Sequence, residues 1–218
     1  MNRRKGQSRQ SRPRQNQIYG RPDYWLLGVV IVLMALGLMM VLSASGIMAE
    51  RYFEDKYFFI RKQLIFALIG FLVMWVTYKI PLQFFYKGVY VWLVLAALLL
   101  GLTFSPLGIE AGGARRWLQA GPFSFQPLEL AKIALVFYLA YFFSHKQELV
   151  KTFSVGFLPP VFVTFILACL LLLQPDFGGA VYLTMLLFLI SLVGGTRFIY
   201  LFSSLVLTTG SAILLVIH

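Results

Sequence analysis

The chain has 218 residues, 60% of them hydrophobic and 12% charged, with a formal net charge of +11; its mean hydropathy is +0.81. Soluble domains are about 45–50% apolar and about 25% charged, so this composition excludes a water-facing globular surface and makes a multi-span membrane protein the default. Seven of the 19 basic residues lie in the opening stretch MNRRKGQSRQSRPRQNQIYGR. That distribution argues against nucleic-acid binding. Beside a first span it reads instead as a disordered, lipid-facing cytoplasmic tail that sets orientation.

Residues 1–22 are therefore assigned to the basic tail and 23–218 to a membrane domain. Apolar stretches of about span length run over 24–42, 58–78, 86–104, 127–143, 155–173, 178–193 and 198–217. These predict an all-α polytopic membrane protein with about seven transmembrane helices. The connections are short and carry charges or turn-formers: Glu54-Asp55-Lys56, Pro81, Ser105-Pro106, His145-Lys146-Gln147-Glu148, Gln174-Pro175-Asp176 and Gly194-Gly195-Thr196-Arg197. With the tail in the cytoplasm, Lys79, Lys87, Lys146, Lys151 and Arg197 join it there. Arg51, Lys56, Arg61, Lys62, Arg115 and Arg116 then face outward. The last stretch runs to His218 without a flanking loop, so the chain reads as part of something longer.

Cys169 sits in an apolar run and reads as a small packing residue, which excludes an internal disulfide framework. His145 and His218 are too few and too far apart to suggest a metal centre. The small run Ser43-Ala44-Ser45-Gly46 closes the first span and favours close helix packing. P-loop, His-Glu-x-x-His and Gly-x-Ser-x-Gly patterns are missing from the sequence, leaving ATP hydrolysis, zinc proteolysis and lipase chemistry without support.

The segment with most chemical content runs from Gly112 to Lys132. Paired glycines permit a tight turn, and Arg115 and Arg116 offer forked donors that match phosphate oxygens. With Trp117 at headgroup level, the group suits the polar head of a phospholipid-like molecule. It equally suits contacts to bulk lipid with Trp117 as a belt anchor. Gln126-Pro127 opens the next helix, Pro127 at its first position and Glu129 in its first turn. Lys132 shares a face with Glu129 at i, i+3, and a lone charge there costs about 2.5–3.5 kcal/mol on insertion scales. The two form either a structural ion pair or a cavity lining. Gln174-Pro175-Asp176 repeats the pattern at a second helix start, so two N-termini are expected to converge on one outer site, with Asp176 either a site residue or a helix cap.

These segments resemble the SEDS family of bacterial cell-wall proteins, the FtsW, RodA and SpoVE group. The resemblance rests on GLMMVLSAS at 37–45, YFFIRKQL at 57–64, GARRW at 113–117, QPLELAK at 126–132 and LQPDFG at 173–178. The basic tail and Phe123-Ser124-Phe125-Gln126-Pro127 are closer to the cell-division branch, FtsW, than to the elongation branch. The resemblance implies the first part of a ten-helix membrane enzyme of the bacterial cytoplasmic membrane, N-terminus inside. It implies a peptidoglycan glycosyltransferase that polymerises lipid II with a class B penicillin-binding protein among other divisome membrane proteins. Arg115, Arg116, Trp117, Gln126, Glu129, Lys132 and Asp176 match the family's motifs and are the substrate-binding candidates. Ser124 departs from an arginine found in some relatives. The catalytic aspartate is expected in a large outer loop beyond His218, which leaves Asp176 as a fallback base.

No cofactor is identifiable, although pyrophosphate departure needs positive charge or a divalent metal ion. A lipid II flippase and a non-catalytic scaffold for a transpeptidase are the rival readings.

Overall fold

Apolar sequence without breakers folds as helix and stops where Gly, Pro or clustered charge intervenes. The computed structural model describes residues 22–203 except Gly112 and Pro122. The assigned tail, apart from Pro22, and most of the stretch 198–217 lie outside the described residues. Two units are separated at Pro81–Leu82.

The first unit is a helical hairpin. Helix α1 (Tyr24–Phe53) begins at Asp23, whose carboxylate accepts from the Trp25 and Leu26 N–H groups at 2.9 and 3.2 Å. It continues through Ser43-Ala44-Ser45-Gly46 instead of ending near Leu42 as expected, because every residue of that run keeps the N–H that an α-helix requires. It stops at Glu54, which adopts φ 54° and donates its N–H to Glu50 O. Asp55 accepts from Tyr57 N–H and pairs with Arg61 at 2.6 Å, opening α2 (Phe58–Lys79). Phe53 stacks on Phe58 across the turn with centroids 4.1 Å apart. Pro81 then holds Ile80 extended at ψ 127° and ends the helix.

The second unit begins with α3 (Leu82–Lys87) and α4 (Val89–Leu102). The expected single helix over 86–104 is thus broken at Gly88. Hydrogen bonds from Gly88 N–H to Phe84 O and from Trp92 N–H to Gly88 O bridge the break, making it a kink. Next come three antiparallel strands, β1 (Gly108–Ala111), β2 (Ala114–Ala120) and β3 (Phe123–Phe125), with β2 central. Gly113 at φ 79° and Gly121 at φ 62° supply the left-handed backbone that the two tight turns require. This sheet is the one departure from an all-helical expectation among the described residues.

Helix α5 (Pro127–His145) starts with Pro127 in its first turn, as anticipated. A π-helical turn, Phe153–Phe157, leads into α6 (Leu158–Leu173), followed by α7 (Phe177–Val193). Residues 198–203 are helical. Val89, Leu93, Ala96 and Leu100 form one buried stripe on α4. It packs with Leu128, Ala131, Leu135 and Leu139 of α5, Leu167 and Leu171 of α6, and Ala180, Leu183 and Leu187 of α7.

Four of the expected spans, 24–42, 58–78, 127–143 and 155–173, fall on helical segments long and apolar enough to cross a membrane, Tyr24–Gly46, Phe58–Lys79, Pro127–His145 and Phe153–Leu173. Helices α4 and α7, at 14 and 17 residues, are shorter. With these helices the chain is an all-α polytopic membrane protein.

The ends of four elements meet at one end of the second unit. Buried Gln174, just past α6, donates through Nε2 to Leu100 O at 2.8 Å and to Thr103 Oγ1 at 2.7 Å, tying α6 to the end of α4. At the opposite end, the rings of Tyr86 and Tyr141 approach to 6.1 Å, Lys87 ends α3, and the loops carry Lys146, Lys151 and Arg197.

Candidate functional site

The strand pairing sets the first feature of the site. Ile109 faces Trp117 and Glu110 faces Arg115, so Arg116 is the extra residue of a β-bulge and has no cross-strand partner. Bulges bend a strand and re-aim side chains. Arg116 Nη2 donates to Pro175 O at 3.0 Å, and Nη1 lies 3.7 Å from Asp176 Oδ1. Arg115 next to it is exposed, as is Gln119, whereas Trp117 is half-buried and Leu118 buried.

Asp176 is only 4% exposed and accepts from Gly179 N–H at 3.1 Å, which caps α7. The cap reading therefore holds, joined by an ion pair that spacing alone does not reveal. Its carboxylate is thus held between the Gly179 N–H and the Arg116 guanidinium. At Gly179, a Cβ would come within 2.8 Å of Leu128 Cδ2. That close approach brings the N-termini of α5 and α7 together, as the repeated Gln-Pro pattern anticipates.

Gln126 is half-buried at the N-cap position of α5, where its side chain makes no capping bond. One turn on, Glu129 Oε2 and Lys132 Nζ form an ion pair at 2.8 Å, and Lys132 Nζ also stands 4.8 Å from the centroid of the Tyr182 ring on α7. The ammonium is thus held by a carboxylate on one side and an aromatic face on the other. Glu129, Lys132, Ile133, Val136, Phe137, Tyr182 and Leu186 line a groove of ≈ 330 Å³ between the two helices. It is charged at the end nearest the sheet and apolar along the rest, a shape suited to an amphiphile.

Three functional features escape a reading of the sequence. Tyr182 needs the α5–α7 contact to be seen as a partner of Lys132. Gln174 is legible as part of a motif, but its lock on Leu100 and Thr103 is not. The strands are signalled by Gly112-Gly113 and Gly121-Pro122 bracketing a run of seven residues, the spacing of a meander. Glu129 and Asp176 are each paired with a cation, and no three His, Cys, Asp or Glu side chains cluster among the described residues.

A bundle of apolar helices whose sheet is pinned to the start of α7, beside a groove lined by an ion pair and apolar side chains, defines the class: a polytopic membrane protein. The sequence model of FTSW_RODA_SPOVE, described as cell cycle protein, matches residues 24–218, and the chain belongs to that family. It is 38% identical over 197 residues to a probable peptidoglycan glycosyltransferase FtsW of Trichlorobacter lovleyi, covering 90% of this chain and 52% of that one. A probable peptidoglycan glycosyltransferase FtsW of Coxiella burnetii is 38% identical over 198 residues, covering 89% of this chain and 53% of the relative. The chain thus spans about half the length of the curated relatives it matches.

Among solved structures, the rod shape determining protein RodA of Thermus thermophilus aligns with TM-score 0.68 and 27% identity, over 84% of this chain and 57% of that chain. A chain from a structure on the coordination of polymerization and crosslinking by a peptidoglycan synthase complex aligns with TM-score 0.71 and 28% identity, over 89% and 53%.

Proposed function

We propose that this chain is part of a peptidoglycan glycosyltransferase that polymerises lipid II into glycan strands during septal wall synthesis. The observation that carries this reading is the groove between α5 and α7, with Lys132 held at its charged end between Glu129 and Tyr182. An undecaprenyl pyrophosphate carrier joins a long apolar chain to an anion, and the groove offers an apolar wall ending in an ammonium. Family membership and the names of the relatives support the same conclusion.

In such a reaction an acceptor hydroxyl loses its proton while attacking the anomeric carbon, and the bond to the pyrophosphate breaks with its electrons on the leaving oxygen. Positive charge stabilises that departing anion. We assign that role to Lys132, which lines the groove, and to the exposed Arg115 on the sheet. By the family resemblance the general base is expected in a large outer loop beyond His218, and Asp176 is held by Arg116 and the α7 cap. A class B penicillin-binding protein and other divisome membrane proteins are the proposed partners, by analogy with the synthase complex among the structural relatives. The proposed setting is the bacterial cytoplasmic membrane, with the sheet end outward. The opposite end, with Lys87, Lys146, Lys151 and Arg197, then faces the cytoplasm together with the N-terminus.

The test is strand synthesis from labelled lipid II by the full-length protein with its partner, wild type against Lys132→Ala. Loss of at least tenfold in rate with unchanged membrane insertion is expected, and an unchanged rate overturns the role of Lys132. The ion pair lining a groove also favours a lipid II flippase. Lipid II movement in proteoliposomes without polymerisation would select that reading.

A further inference from the structure

We propose that Arg116 and Asp176 form a latch that clamps the outer sheet onto the α6–α7 turn, and that both are positioning residues. Fifty-nine residues separate Arg116 from Pro175, whose carbonyl accepts from Nη2. The guanidinium therefore crosses from the bulge of β2 to the turn, and Asp176 receives its second nitrogen. From Asp176 the chain of contacts passes to Gly179 N–H, then to the Leu128 side chain lying against Gly179, which belongs to the same first turn of α5 as Glu129. Tyr182 lies one turn further along α7, over Lys132. The latch thus sets how closely the starts of α5 and α7 approach, and with it the geometry around Lys132.

The same geometry divides the arginine pair. Arg115 is exposed and free to meet an anion arriving at the surface, whereas the Arg116 charge is already turned to Asp176. Arg116 Nε is buried without a hydrogen-bond partner among the described residues. Such a donor is costly to leave unmade, so a lysine that keeps the charge and removes this donor preserves part of the latch.

The latch itself is independent of the polymerase reading; its effect on the site rests on that reading. The experiment is a double-mutant cycle in the full-length protein with Arg116→Gln and Asp176→Asn, an asparagine being able to cap α7 while removing the charge. Amide hydrogen exchange of residues 114–120 is measured without lipid II, and strand synthesis is measured in parallel. Each single variant is expected to speed exchange at least fivefold, and the double variant no more than the faster single. Arg116→Lys is expected to recover part of the protection.

Synthesis should follow the same order through its turnover number, because the substrate's own contacts are intact. Effects that multiply in the double variant would overturn the latch. So would unchanged exchange in Arg116→Gln accompanied by lost synthesis, which would make Arg116 a direct substrate contact. A wild-type protein that makes no strands removes the polymerase reading, while the exchange cycle still decides the latch.

Discussion

Helices α1 and α5 invite comparison because both are long and apolar, yet their surroundings differ. The spanning part of α1, Tyr24–Gly46, is the most apolar of the four long helices and has none of its most hydropathic window buried within the structure; α5, the least apolar of the four, has 50% of its window buried. In water the more apolar helix would be the buried one. In a bilayer the tails are as apolar as leucine, so burial follows shape and polar linkage, not hydropathy. Helix α5 accordingly carries Ala131 and Ala134 at its buried face and the Glu129–Lys132 pair at its start. On α5 the small residues Ala131 and Ala134 lie on the side that meets protein.

That comparison can be tested by matched substitutions, with unfolding of the detergent-purified protein as the readout. The largest difference is expected for leucine truncation. Leu135→Ala, at a fully buried position of α5, should lose about 2–5 kcal/mol through the cavity left behind. Leu68→Ala, on the exposed face of α2, should be close to neutral, with a change of about 0.5 kcal/mol or less. Equal losses would mean that the first unit is as tightly packed as the second.

Polar linkage gives the next contrast. Gln174→Leu removes the Nε2 bonds to Leu100 O and Thr103 Oγ1, while the Thr103 hydroxyl still donates to Leu100 O, and should cost about 1.5 kcal/mol. Thr77→Val removes a hydroxyl bonded to Val73 O within its own turn, and should be close to neutral.

The smallest contrast is at glycine. Gly179→Ala places a methyl against Leu128 and the Asp176 carboxylate, and a loss on the order of 1 kcal/mol is expected because the leucine can yield partway. Gly37→Ala and Gly70→Ala meet nothing within 4 Å and should be neutral or stabilising by helix propensity. A destabilised Gly37→Ala would reveal a neighbour for α1.

Local chemistry makes much of this legible in advance. Pro127 at a helix start, Asp176 as a cap and Glu129 paired with Lys132 at i, i+3 each depend on residues within a turn of one another, so spacing suffices to predict them. The membrane class follows just as directly, since a charge content of 12% leaves too little polar surface for water.

What required the folded chain was everything that joins distant segments. The bulge that frees Arg116 depends on how β1 registers with β2, and its partner Pro175 lies in a turn after two further helices. Gln174 finds Leu100 across 74 residues, and Lys132 finds Tyr182 only because Gly179 lets α7 approach α5. A local pattern specifies which elements form and how they are capped. Which of several equally apolar faces is buried, and which of two adjacent arginines is held, is decided by the approach of remote elements, where shape and paired charge discriminate and hydrophobicity does not.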